Sequence, residues 1–203
     1  MYKIKPLKIG LVGTGAIARA HLEAYLKFQD KVQLTAVCDI HEDAIKKFTK
    51  HIRVDNSFTD YDVMLKKGDI DAVDICTIND QHEFQAIEAA EQGKHVFLEK
   101  PMSISLDSCK EMVRKIGNTR VTFMVGQDLR YTPHSQGVLC AIKNGDLGAI
   151  RTCRCDSIMN QVRGLPAGHW MFDGKRTGGG VLINLTIHVI DLLRYFNGDV
   201  EKV

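Results

Sequence analysis

Apolar and polar positions alternate along this chain in a regular rhythm of short apolar runs and longer amphipathic ones. Leu7–Val12 is a compact apolar run, and from Ala16 onward Ile17, Ala20, Ala24 and Phe28 recur at helical spacing. Val32–Cys38 and Ala72–Thr77 repeat the short apolar pattern. Gln85–Gln92 is an Ala/Glu-rich helix stopped by Gly93, and Val96–Leu98 is again strand-like. Short apolar strands alternating with helices predict a parallel sheet, whose ligands gather at the C-terminal ends of the strands. Beyond this, the pattern predicts a helix over Pro133–Lys143, a strand over Ala149–Ser157, and the start of another strand at Val200–Val203.

The stretch Val181–Phe196 is almost wholly apolar and is opened by Gly178-Gly179-Gly180. Its interruptions, Asn184, His188 and Asp191, fall at helical spacing and form one stripe. A helix apolar on its remaining faces is expected to be buried. Burying an amide, an imidazole and a carboxylate is costly without partners. The stripe therefore predicts either satisfied core polar groups or the wall of a site.

Chemistry enters at the first turn. Gly13-Thr14-Gly15-Ala16-Ile17-Ala18 is a G-x-G-x-x-A pattern placed between a strand and a helix. Gly13 suits the tight turn, Gly15 lets backbone approach a pyrophosphate, and Ala18 permits close helix packing. The anion would rest on the N–H groups at the helix start, around Ala16 and Ile17. Asp39 ends the second strand, where a carboxylate can accept hydrogen bonds from ribose hydroxyls; the alternative is an ordinary strand-end turn residue. Because Asp39 would repel an extra phosphate and is followed by Ile40 and His41 rather than Arg, NAD is expected in preference to NADP. Glu99-Lys100-Pro101 follows a buried-type strand, so Lys100 is expected to be held rather than solvated, and Lys–Pro is a candidate cis bond.

These segments together resemble the family of glucose–fructose oxidoreductase, inositol dehydrogenase and the rhizopine-catabolism protein. The resemblance rests on the glycine turn with His21, on Asp71–Thr77 followed by Asn79 and His82, and on Gly93–Pro101. It continues through Gly126-Gln127 with Arg130-Tyr131, Gly145–Ile150, and Gly178 to Asp191. It implies an α/β fold: a Rossmann doubly wound parallel sheet over residues 1–127, then an incomplete α+β substrate and oligomerisation domain over 128–203. The implied activity is hydride transfer between a nicotinamide and a secondary alcohol of a sugar, cyclitol or related polyol. Alternatives are an NAD-dependent glycoside hydrolase of the same fold or a non-catalytic sugar- or nucleotide-sensing protein. The resemblance further implies that Lys100 and His188 sit beside the reacting carbon, with Asn184 orienting substrate. Thr77, Asn79, His82 and Glu99 would then join the glycine turn and Asp39 around the cofactor. His82 is weighed equally as structural support, Trp170 as pocket lining or plain packing, His21 as a packed helix residue, and Arg130 as a structural ion pair.

The chain departs from the family pattern in three places. Many family dehydrogenases carry Asp where Asn184 stands, Ile78 replaces the usual Pro, and Thr186 a frequent Gly. Asn184 can orient a hydroxyl but cannot relay a proton as a carboxylate does.

Composition narrows the setting. At 203 residues the chain exceeds one Rossmann unit but is shorter than the family norm, so a fragment is expected. A net charge of +2 without a basic run argues against nucleic acid. Apolar segments are broken by polar residues and Met1–Lys8 has no signal-peptide core, so a cytoplasmic protein without a membrane partner is expected. The implied partners are a small sugar or polyol and, for the full-length fold, further copies of the chain. The six cysteines form no C-x-x-C pair and no metal site is expected.

Overall fold

The computed structural model describes residues 5–160 and 162–203; Met1–Ile4, half of the Met1–Lys8 start, lie outside the described residues. The chain divides into two compact units, Met1–Val125 and Gly126–Val203.

The first unit is a six-stranded parallel sheet. In chain order it runs β1 (Leu7–Val12), α1 (Ala16–Lys27), β2 (Val32–Cys38), α2 (Glu42–Thr49), β3 (Asn56–Phe58), α3 (Tyr61–Lys67), β4 (Ala72–Ile75), α4 (His82–Glu91), β5 (His95–Leu98), α5 (Leu106–Gly117) and β6 (Phe123–Val125). The strands lie in the order β3-β2-β1-β4-β5-β6, every pairing parallel. Chain direction across the sheet therefore reverses between β1 and β4, which opens a crevice at their C-terminal ends. Helices cover the sheet because its strands are apolar on both faces. Val73, Ile75 and Leu98 pack with Met64, Ala86 and Met112 in one layer, and Leu11 and Val37 with Ala18, Ile45 and Phe48 in another. Each fully buried Leu, Val, Ile or Met stabilises the fold by about 1.5–3 kcal/mol before entropy is counted. Helix starts are fixed by side-chain caps where the sequence supplies one. Asp60 accepts from Val63 N–H at 2.9 Å and Ser105 from Ser108 N–H at 3.1 Å, each worth about 1 kcal/mol. At α1, by contrast, the capping position is Gly15, with no side-chain cap and no acidic residue in the first turn.

In the second unit a 3₁₀ turn (Asp128–Tyr131) leads into α6 (Pro133–Asn144). After an irregular stretch come a 3₁₀ turn (Trp170–Phe172), α7 (Gly174–Thr177), a π-helical segment (Leu182–Thr186) and α8 (Ile187–Asn197).

Three sequence expectations fail here. Residues 149–157 form no strand: residues 151–160 are exposed and irregular, and among the described residues no segment supplies the ladder that a strand needs. Val200–Val203 is irregular for the same reason. The late helix is not buried all round: Val181 is 68% and Leu182 55% exposed, because no described residue covers that face. Indeed Gly174–Asn197 is, by length and composition alone, long and apolar enough to cross a membrane. Asn184, His188 and Asp191 are among the polar interruptions within it.

Candidate functional site

The glycine turn sits at the crevice between β1 and β4. Gly13 has φ +84°, and a Cβ there would lie 2.7 Å from the Cys76 carbonyl oxygen, so backbone passes backbone where only glycine fits. Gly15 is different. A Cβ built there meets nothing within 4 Å, so the turn faces open space beside the uncapped α1 N-terminus. Ala18 is fully buried against the sheet, as the motif requires. The open cradle, at a helix start without a side-chain cap, fits a dinucleotide pyrophosphate.

Asp39 does more than the sequence suggests. Its Oδ2 accepts from Thr14 N–H at 2.9 Å and from the Thr14 hydroxyl at 2.8 Å, and its Oδ1 accepts from His41 N–H at 3.0 Å. The carboxylate thus holds the turn in shape. Oδ2 has both lone pairs engaged, whereas Oδ1 keeps one for a ribose hydroxyl, and Ile40 beside it is well exposed.

The loops after β4 and β5 are tied together from beneath. His82, 1% exposed, directs Nδ1 to the Pro101 carbonyl at 2.7 Å and Nε2 to the Thr77 carbonyl at 3.2 Å. Burial lowers its pKa against the opposing pull of those carbonyls. A neutral ring has one N–H, which goes to the shorter contact. Thr77 donates its hydroxyl to Gln85 Oε1 at 2.6 Å, and Asn79 is buried. The Lys100–Pro101 bond is cis. His82 is therefore a support for the loop that carries Lys100.

A second buried cluster was not foreseen. His21 Nδ1 lies 2.8 Å from Asp74 Oδ2 and its Nε2 3.0 Å from Glu99 Oε1, while the Tyr25 hydroxyl donates to Asp74 Oδ2 at 2.6 Å. Glu99 Oε2 accepts from Lys100 N–H at 3.1 Å. Burial disfavours a charged His21, but its bonds to Asp74, Cys76 and Glu99 outweigh this and raise its pKa to about 12. Burial, then the neighbouring Asp74, raise the Tyr25 phenol well above its ordinary value. The signal available in sequence was Asp74, a carboxylate inside a wholly buried strand, with His21 and Tyr25 four apart on α1. His21, Asp74 and Cys76 bring ligand-type atoms within 4.8 Å of one another. However, two ligands bound tetrahedrally at about 2.0 Å stand roughly 3.3 Å apart. The 2.8 Å between His21 and Asp74 is a shared proton instead, and burial pushes the Cys76 thiol up to about 12.

In the second unit the polar stripe is divided between tasks. Asp191 forms a two-pronged ion pair with Arg130, Nε to Oδ2 at 2.6 Å and Nη2 to Oδ1 at 2.5 Å, with the guanidinium 5.1 Å from the centre of the Tyr195 ring. His188 Nδ1 lies 3.8 Å from Asp128 Oδ1. Asn184 is on the π segment, which interrupts the α-helical phase between it and His188. It is buried and lines a cavity of about 240 Å³ together with Asn160, Met171 and Val181. Neither His188 nor Trp170 lines that cavity. Trp170 instead packs its ring 5.8 Å from that of His169.

Comparison with known proteins agrees with this fold. Residues 7–127 match the model of the Gfo/Idh/MocA oxidoreductase family, NAD-binding Rossmann fold, and residues 137–203 that of the family's C-terminal domain. The myo-inositol 2-dehydrogenase of Thermotoga maritima is 29% identical over 97% of the chain. The solved apo scyllo-inositol dehydrogenase from Lactobacillus casei superposes with a TM-score of 0.84 at 27% identity, covering 98% of this chain and 56% of that one. A levoglucosan dehydrogenase in complex with NADH and levoglucosan gives 0.85 at 28% identity, covering 96% and 55%. The chain spans about half the length of the curated relatives it matches, 57% for the Thermotoga protein. With an NAD-binding Rossmann unit in the first 127 residues and the matching C-terminal domain after it, the chain belongs to the Gfo/Idh/MocA oxidoreductase family.

Proposed function

We propose that the intact protein is an NAD-dependent dehydrogenase acting on a CH–OH group of a sugar, cyclitol or related polyol. The observation that carries this reading is the open cradle at Gly15, bounded by the uncapped start of α1 and by Asp39. Bound NAD supplies the hydride acceptor. The backbone N–H groups of Ala16 and Ile17 receive the pyrophosphate, and Asp39 receives the ribose hydroxyls and disfavours NADP. Thr77, Asn79 and Glu99 line the nicotinamide side, with His82 setting the loop from below.

Lys100 and His188 carry the chemistry. As hydride leaves carbon, the hydroxyl must lose its proton, and His188 takes it as general base. Lys100 stabilises the alkoxide that develops on the oxygen. Asn184 orients a substrate hydroxyl, and Trp170 contributes apolar surface for a sugar face. Named relatives act on inositol and levoglucosan, which supports a small polyhydroxylated substrate.

Binding tests the first half of this reading. The single Trp170 serves as fluorescence donor for NADH and NADPH titrations of the 203-residue chain, with calorimetry alongside. Preference for NADH is expected; equal binding of NADPH would overturn the role of Asp39. A polyol screen on the longest natural form tests the second half. Appearance of NADH with a polyol is the expected result, and glycoside cleavage without NADH release would assign a hydrolase instead. Lys100→Met should abolish turnover while leaving NAD affinity within a few-fold.

A further inference from the structure

The side chain of His21 reaches from α1 to two strands at once. One ring nitrogen meets Asp74 on β4 and the other meets Glu99 beyond β5, at 2.8 and 3.0 Å. Both contacts are to carboxylate oxygens, so both nitrogens act as donors, or one shared proton sits on Glu99. Glu99 turns its second oxygen to the Lys100 amide at 3.1 Å. The cluster is well enclosed: Asp74 is 1% exposed, and the ring of Phe97 stands 5.5 Å from that of His21. His21 lies fewer than two turns from Gly15, on the helix whose start forms the cradle.

We infer that His21 is a positioning residue, tying the helix at the nucleotide cradle to the Glu99–Lys100 turn and holding the Lys100 backbone in place through Glu99. This rests on the reading of Lys100 as the group that stabilises the alkoxide, but the linkage itself does not require turnover. The consequence is directional. A load on α1, such as an anion docking at its start, reaches the Lys100 backbone through two hydrogen bonds rather than through the sheet. Tyr25 from the same helix and Cys76 from the end of β4 complete the set of titratable groups facing the ring. Tyr25 donates to Asp74, and the Cys76 sulfur lies 3.4 Å from Nδ1. Burial opposes the charged ring, and the bonds to Asp74, Cys76 and Glu99 favour one that keeps both protons.

Two variants of the 203-residue chain test the link by NMR, with the intact chain as reference. In the unsubstituted protein both His21 ring nitrogens should show protonated-type shifts that do not titrate between about pH 6 and pH 9, where an ordinary histidine loses its proton. His21→Gln should accelerate hydrogen exchange at the Lys100 amide by roughly tenfold, the equivalent of one hydrogen bond. Amides in β1 and β2 should keep their protection. Glu99→Gln preserves shape but offers one acceptor oxygen where two are needed; it should bring the His21 ring back into the titratable range and also loosen the Lys100 amide. An unchanged Lys100 amide in either folded variant would overturn the inference, as would a His21 ring that titrates normally in the unsubstituted protein. If His21→Gln fails to fold, the Glu99→Gln result decides. Absence of dehydrogenase activity would overturn the functional reading and leave these outcomes untouched.

Discussion

His82 and Pro101 are nineteen residues apart and joined by a 2.7 Å hydrogen bond from the imidazole to the proline carbonyl. The ring sits in a buried slot that supplies a second carbonyl, that of Thr77, on its far side. Its replacement by Phe roughly keeps volume and removes the N–H that pairs the buried Pro101 carbonyl, at a cost of about 1–3 kcal/mol, together with the ring's contact to Thr77. His82→Phe should therefore lower Tm clearly and weaken NADH binding, because the Thr77 and Pro101 loops are released together. Thermal unfolding with and without NADH checks this.

The same residue sets an acid limit. Its folded pKa is lowered by burial, so the unfolded chain binds a proton at His82 before the folded one does. Stability should fall as pH drops below about 6.5, the ordinary histidine value. Denaturant midpoints taken from neutral to acidic pH should show this decline in the unsubstituted protein and a shallower one in His82→Phe.

His21 has the opposite sign. Its folded pKa of about 12 lies above the unfolded value, so its contribution is fully present below about 6.5 and is lost as pH rises toward 12. The alkaline decline in denaturant midpoint should be flatter in His21→Gln than in the unsubstituted chain. Parallel curves would mean that the ring is not charged in the fold.

Gly13 and Gly15 should respond differently to one added methyl. Gly13→Ala forces a Cβ against the Cys76 carbonyl at 2.7 Å and at φ +84°, and should destabilise the chain by at least about 1–2 kcal/mol. Gly15→Ala adds a Cβ to open space, and should lower Tm only by the small loss of a glycine N-cap while reducing NADH affinity. Equal NADH binding by Gly15→Ala would place the pyrophosphate elsewhere.

Arg130 and Asp191 anchor the 3₁₀ turn to α8 within the second unit. The pair is bidentate but partly solvated, so Arg130→Met should cost roughly 1–2 kcal/mol, less than a fully buried pair. Double-mutant unfolding with Asp191→Asn isolates the coupling.

Much of the first unit was legible because its signals are local. A strand, a glycine turn and a helix are written contiguously from Leu7 to Lys27, and Gly13, Ala18 and Asp39 all stand where that logic puts them. The His21 cluster was hidden because its members come from separate segments, and only the pairing of β4 with β5 brings Asp74 near Glu99, just past the end of β5. The Ala149–Ser157 expectation failed for the converse reason. β-propensity describes what a segment does when a partner strand is present, and the described residues supply none. The stripe on the late helix is divided: Asn184 stands on a π segment, so α-helical spacing holds only from His188 to Asp191.

The three hydrogen bonds that Asp39 accepts from Thr14 and His41 bear on any attempt to re-engineer cofactor preference. Exchanging Asp39 for a small neutral residue to admit a phosphorylated ribose would also dismantle the brace that shapes the glycine turn. A productive switch must therefore separate the two duties. It needs a side chain at position 39 that still accepts from the Thr14 amide, and a cation introduced at exposed Ile40 or His41 to receive the new phosphate.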